Sequence, residues 1–215
     1  MANECSNYIQ ISGESSLLEI FAESYFVLKY EGTDEEYFEL DFNAIVPIPK
    51  DCENDYDFRI QNWGNKWDGT NGTVYYERGD NLIDIGVETA WGPCVPIIEK
   101  LIELCPGLDF YHEYYEPGCA FAGYIKHIGG DDPDDYEHEE YSADYDKERY
   151  WVFVFEKELE SLDWLYDYIN DEIECEALSE EDGKSLLEDI ENAIPLELSI
   201  PLELLVKRCI EKGVL

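Results

Sequence analysis

Basic residues are scarce in this chain. Its 215 residues hold 14 Lys and Arg against 52 Asp and Glu, a formal net charge of −38 at pH 7. Binding a nucleic-acid backbone needs clustered cations to replace condensed counterions, and holding an anionic membrane needs a polybasic stretch. Neither is present, so no direct nucleic-acid or membrane partner is expected. Apolar runs of the ~18 residues that a spanning helix needs are also missing. Met1 to Gln10 lack the basic start and apolar run of an export signal, which places the protein in the cytoplasm as an expectation. Cys5, Cys52, Cys94, Cys105, Cys119, Cys175 and Cys209 are an odd, scattered set without a CxxC pair. Reduced, mostly buried thiols follow from that, and a zinc site does not.

What the chain does have is apolar and aromatic mass. Hydrophobic residues make up 45% and aromatics 14%, enough for a packed core and against wholesale disorder. Its charge is spread throughout. There are 24 acids against 7 bases in residues 1–130, 10 against 2 in 131–150, and 18 against 5 in 151–215. In duplex DNA, ~38 charges occupy roughly 65 Å of axis. A compact domain of this length is roughly 45 Å across, so the mean charge density is of the same order.

Hydrophobic periodicity divides the chain. Cys5 to Ser12 reads as a strand, and Leu17 to Lys29 as a helix opened by a Ser16–Glu19 capping box or, equally well, by Ser15. Tyr37, Phe38, Leu40 and Phe42 begin a strand that ends at Pro47 and Pro49, and 51–68 reads as irregular. Asn71-Gly72 marks a tight turn and Arg78-Gly79-Asp80 a hairpin tip between flanking strands. A second helix lies between Pro93 and Pro106, followed by strands over 108–115 and 119–128. This order predicts an α+β class: a ferredoxin-like antiparallel sheet with two packed helices, plus a helical C-terminal extension. The expected organisation is a sheet domain over 1–128 with an irregular insertion at about 45–72. An acidic linker over 129–149 follows it. Residues 150–215 are expected to form a short aromatic strand (150–155) and a helical subdomain packed on the sheet domain.

Chemistry-bearing motifs are few. Asn62, Trp63, Lys66, Trp67 and Asp68 concentrate two indoles, an amide and a Lys–Asp pair, and Trp91 and the Tyr115–Glu116 pair add to them. Such a set can floor a ligand pocket or simply plug a sheet end. The acidic run Asp131, Asp132, Asp134, Asp135, Glu137, Glu139 and Glu140 reads as a solvated face, without the spacing of a calcium loop. Cys119 with His112 or His127 is the sole catalytic pairing conceivable, and no local motif supports it. The chain is therefore expected not to be an enzyme and to need no cofactor or metal. Its oligomeric state is left open.

Cys5-Ser6-Asn7, Phe42-Asn43 with Ile45 to Pro49, Asn62-Trp63-Gly64 with Lys66-Trp67-Asp68, Thr89-Ala90-Trp91 with Pro93, and Tyr114-Tyr115-Glu116 with Gly118 and Phe121-Ala122-Gly123 follow in a fixed order. Over about residues 3–125 that order resembles the YubB ferredoxin-like family of plasmids, phages and bacterial genomes. The resemblance implies a ferredoxin-like fold, suggests a mobile-element setting and implies no established reaction. Two functions are then expected in competition. One is a non-enzymatic acidic interaction protein, a DNA mimic or anti-defence factor occupying the basic surface of a nucleic-acid-binding protein. The other is a small-ligand or peptide module built on Trp63, Trp67, Trp91 and Tyr115, its acidity serving solubility.

Overall fold

In the computed structural model, β1 (Glu4–Ser12) buries every second residue, as a half-buried strand must. Cys5, Asn7, Ile9 and Ile11 face inward, and Glu4, Ser6 and Tyr8 face outward. The structure describes residues 3–29, 37–51 and 56–157, with the single residues 184 and 210. The chain divides into two units, Met1–Glu140 and Tyr141–Leu215.

Helix α1 (Ser15–Tyr25) buries Leu18 and Phe21. Its cap position is Glu14, with no side-chain cap bond, and Ser16 Oγ donates to the Glu14 carboxylate at 2.8 Å, so the expected Ser16–Glu19 box is not made. The helix also stops four residues early. Phe26-Val27-Leu28 are aromatic and branched residues that suit a strand, and β2 (Phe26–Lys29) pairs with β3 (Tyr37–Leu40). The strand expected to run on to Pro47 stops at Leu40, because Asp41 caps a single turn, α2 (Phe42–Ile45), by accepting from the Asn43 and Ala44 amides. The stretch expected to be irregular contains a second helix, α3 (Tyr56–Trp63).

The main sheet uses β4 (Thr70–Tyr75), β5 (Leu82–Ala90), β6 (Asp109–Glu116), β7 (Phe121–His127) and β8 (Tyr136–Ser142), with α4 (Val95–Leu104) between β5 and β6. Its order is β4-β5-β1-β6-β7-β8. β5 is antiparallel to both β4 and β1, and β1 is antiparallel to β6. Thus β1 and β4 run parallel on either side of β5, and β5 and β6 run parallel on either side of β1. Two interlocked split crossovers of this kind make a ferredoxin-like fold, here widened by β7 and β8. The insertion, with its hairpin and two helices, falls between α1 and β4. One sheet face is covered: Ile9, Ile11, Ile83, Ile85, Phe110 and Ile125 pack in one cluster with Leu18, Phe21, Phe42, Trp63, Ile98 and Leu101.

Asn71-Gly72 does not turn the chain. The pair lies inside β4, where the register slips between Thr70 and Thr73, and a Cβ on Gly72 would meet Glu39 of β3 at 3.2 Å. The turn into β5 is made at 77–80, where the Asp80 amide donates to the Glu77 carbonyl. The acidic segment 129–149 is not wholly a linker, because β8 lies within it and joins the sheet edge. Tyr136 anchors that strand by donating to Glu99 at 2.8 Å, and His138 meets the Tyr114 hydroxyl at 3.0 Å.

In the second unit, the strand expected over 150–155 is a helix, α5 (Lys147–Lys157). Tyr150 and Val154, four apart, are both buried, and the Tyr150 amide donates to the Asp146 carbonyl. The helical readings from Leu159 to the C-terminus, and their packing on the sheet domain, lie outside the described residues.

Candidate interaction surfaces

The residues singled out in 62–68 divide between core and surface. Asn62 Nδ2 donates to the Phe58 carbonyl at 2.8 Å, one turn back in α3. Trp63 is 3% exposed, edge-on to Phe42 with ring centroids 6.0 Å apart, and its Nε1 donates to the Val46 carbonyl at 3.0 Å. Gly64 turns the chain at φ 75°, where a Cβ would press on Pro93 and Pro96. Lys66 then places its ammonium 5.1 Å from the Trp67 ring and 5.0 Å from the Trp91 ring. Trp91 itself holds a left-handed φ of 68° and keeps its ring half-exposed. Asp68 accepts from the Phe42 and Gly69 amides, and burial pushes its carboxyl up to about 6.

Tyr115 stands elsewhere. It pairs with Ser6, so it projects from the sheet face opposite the one that buries Trp63. Glu116 is 1% exposed and accepts from the Gly118 and Cys119 amides, which fixes the β6–β7 turn. The four aromatics therefore do not surround one hollow. Lys66, Trp67 and Trp91 are brought together, whereas Trp63 and Tyr115 are not part of that group.

A buried polar network escaped the sequence reading. Asn7 Oδ1 accepts from the Cys94 amide at 3.2 Å and faces His112 Nε2 at 3.0 Å. Its Nδ2 lies 2.9 Å from the Cys5 carbonyl, 3.2 Å from that of Val87 and 2.8 Å from Thr89 Oγ1. Cys94, His112 and Asn7 adjoin one another, yet burial pushes the Cys94 thiol up and holds the His112 imidazolium down to about 3. Burial thus disfavours the charged form of both groups, and their contacts to Asn7 tie β1, α4 and β6 together. Cys119 does not meet either histidine, as the lack of a supporting motif implied. His112 turns to Asn7, His127 lies between the carbonyls of Pro106 and Asp135, and the exposed Cys119 faces Asn3. Cys5 and Cys94 are buried free thiols and Cys105 is half-buried.

The acids lie outside. Asp131, Asp132, Asp134, Asp135, Glu137 and Glu140 are exposed and Glu139 is half-buried, along the β7–β8 loop and β8. A groove of ≈ 380 Å³ beside them is lined by Pro96, Glu99, Lys100, Glu103, Asp134 and Tyr136, among others. Among the described residues no His, Cys, Asp or Glu group could hold a metal ion, and no helix is long and apolar enough to cross a membrane. Several cations are already engaged: Lys29 with Glu39, Arg78 with Glu19 and Glu23, Lys100 with Glu103, and Arg149 with Asp146.

The opposite sheet face, exposed at Tyr8 and Tyr75, carries a second polar cluster. Tyr8 and Gln10 of β1 lie opposite Gly86 and Asp84 of β5, and Thr73 and Tyr75 of β4 flank the same two residues from the other side. Tyr8 Oη donates to Asp84 Oδ1 at 2.5 Å and Gln10 Nε2 donates to the same oxygen at 3.0 Å.

Comparison with known proteins reaches the fold and no further. A search of curated proteins finds no match. The solved structure of protein api92 from Yersinia pseudotuberculosis is similar at a TM-score of 0.49 and 10% identity, covering 66% of this chain and 99% of that one. Residues 62–153 match the family model described as a ferredoxin-like domain in Api92-like protein, in agreement with the strand order seen here.

Proposed function

We propose that this chain is a non-enzymatic, acidic interaction protein that occupies the basic surface of a nucleic-acid-binding protein, in the manner of a DNA mimic. The observation that carries the reading is the balance of paired charge. Arg78 is held by two carboxylates, and Lys29 and Lys100 by one each, so internal pairing consumes cations that are few and leaves a large surplus of acids facing water. A surface of that kind steers cationic partners and repels phosphates. The resemblance to the YubB ferredoxin-like family over about 3–125, with its plasmid and phage setting, supports a defence nuclease or restriction component as the partner class and an anti-defence role.

The test is competition. A purified basic DNA-binding protein is held on a fluorescent duplex, and the chain is titrated in over a series of salt concentrations. Displacement that weakens steeply with salt is expected. A duplex left in place by every basic protein tried, or displacement indifferent to salt, rejects the reading.

A further inference from the structure

We infer that this sheet face reads an arginine side chain of the basic partner, laid over Gly86 between Tyr8, Asp84 and Tyr75; this rests on the acidic-partner reading and gives it an address. The strand register supplies the geometry. Gly86 pairs with Tyr8 on one side and with Thr73 on the other, and Tyr75 pairs with Asp84. Directly paired residues share a face, so all of these project together. Tyr8 and Tyr75 are separated by two strand spacings, roughly 10 Å across. Gly86 carries no side chain, and Thr73 Oγ1 lies 3.0 Å from where a Cβ would stand, so the Thr73 hydroxyl borders the bare backbone between them. Both phenols are accessible, Tyr8 at 41% and Tyr75 at 70% exposure.

Charge and hydrogen bonding then choose the occupant. Tyr8 and Gln10 both donate to Asp84 Oδ1, and Oδ2 receives no hydrogen bond from the described residues. An oriented carboxylate oxygen beside two aromatic rings suits a planar, weakly hydrated guanidinium. Such a group donates at its edge and stacks through its face. An ammonium is a compact, strongly hydrated point charge and gains less from the rings. Aromatic residues on an open sheet of this fold can also stack nucleic-acid bases. Here Asp84, Glu88 and Asp109 share the face by register, and their field repels a phosphate backbone.

Fluorescence anisotropy at low ionic strength tests the site on the full chain. One labelled peptide alternates arginine and serine, and a second of equal length alternates lysine and serine. The arginine peptide is expected to bind more tightly. Tyr75→Ala and D84N are each expected to weaken it by about three- to tenfold and to narrow its advantage over the lysine peptide. Asp51→Asn, an equal change of charge on an exposed loop, is expected to weaken both peptides by less than about twofold. Circular dichroism checks that each variant keeps its fold. Losses at Tyr75 and Asp84 no larger than at Asp51 overturn the site and leave the acidic-partner reading standing. Salt-insensitive or absent binding of both peptides overturns the two together. Tighter binding of single-stranded RNA than of the arginine peptide overturns the choice of occupant.

Discussion

Asn7 shows how much one buried amide can organise. Its side chain reaches β5 through the Val87 carbonyl and Thr89, the start of α4 through the Cys94 amide, and β6 through His112. Replacing it by Leu strands the Cys94 N–H and the His112 ring in the core. The expected cost is about 3–5 kcal/mol, read from urea unfolding. Two titrating groups act in opposite senses. The folded-state pKa of His112 is lowered to about 3 by burial, so its contribution is present above ~6.5 and is lost as pH falls below that. The folded-state pKa of Asp68 is raised from 3.8 to about 6, so its contribution is present below 3.8 and is lost as pH rises through 6. Asp68→Asn can keep both amide bonds to Oδ1 without carrying a buried charge. It is expected to exceed wild type by on the order of 1–2 kcal/mol at pH 7.5 and to match it near pH 4. Equal stability of the two proteins at pH 7.5 contradicts this account of Asp68.

Strands that bury alternate residues were legible in sequence, and elements stabilised by a few anchors were not. β1, β5, α4, β6 and β7 all follow plain periodicity, and with them comes the ferredoxin-like order. β8 was hidden because its sequence, YEHEEYS, reads as solvent-facing; its pairing rests on Tyr136, His138 and the close approach of β7. α5 was hidden for the converse reason, since Trp151 to Phe155 is rich in strand-favouring residues and helix formation is decided by which two side chains are buried. At the candidate site, Trp63 and Trp67 are indistinguishable by composition, and only the fold sends one inward. The strand over Cys5 to Ser12 was legible, but the meeting of its Tyr8 and Gln10 with Asp84 and Tyr75 depends on register that no single strand encodes. The β8 edge yields a direct prediction. A Cβ on Gly123 would clash with the Glu139 carbonyl and the Tyr114 hydroxyl. Gly123→Ala is expected to destabilise by about 2–4 kcal/mol, with hydrogen exchange fastest to rise in β7 and β8 amides. Unchanged protection in those two strands argues against the close β7–β8 packing.

At the scale of the whole molecule, the net charge of −38 has two consequences of opposite sign. Like charges at this density repel one another in the folded state more than in the expanded chain, so compaction is disfavoured at low salt. Screening shortens the interaction from ~30 Å at 0.01 M to ~3 Å at 1 M. Raising sodium chloride across that range is therefore expected to raise the Tm by about 5–10 °C, corresponding to roughly 2–4 kcal/mol for a chain of this size. Binding to a basic partner draws on the same field across a different boundary. There the charges attract, and screening weakens the contact. Thermal scans and partner titrations run in the same buffers should thus move apart, the Tm climbing while affinity falls. A Tm that stays flat with salt means the acids are too well dispersed or too well paired to repel. The acidity then costs the fold little, and the steering assigned to the same field loses its physical basis.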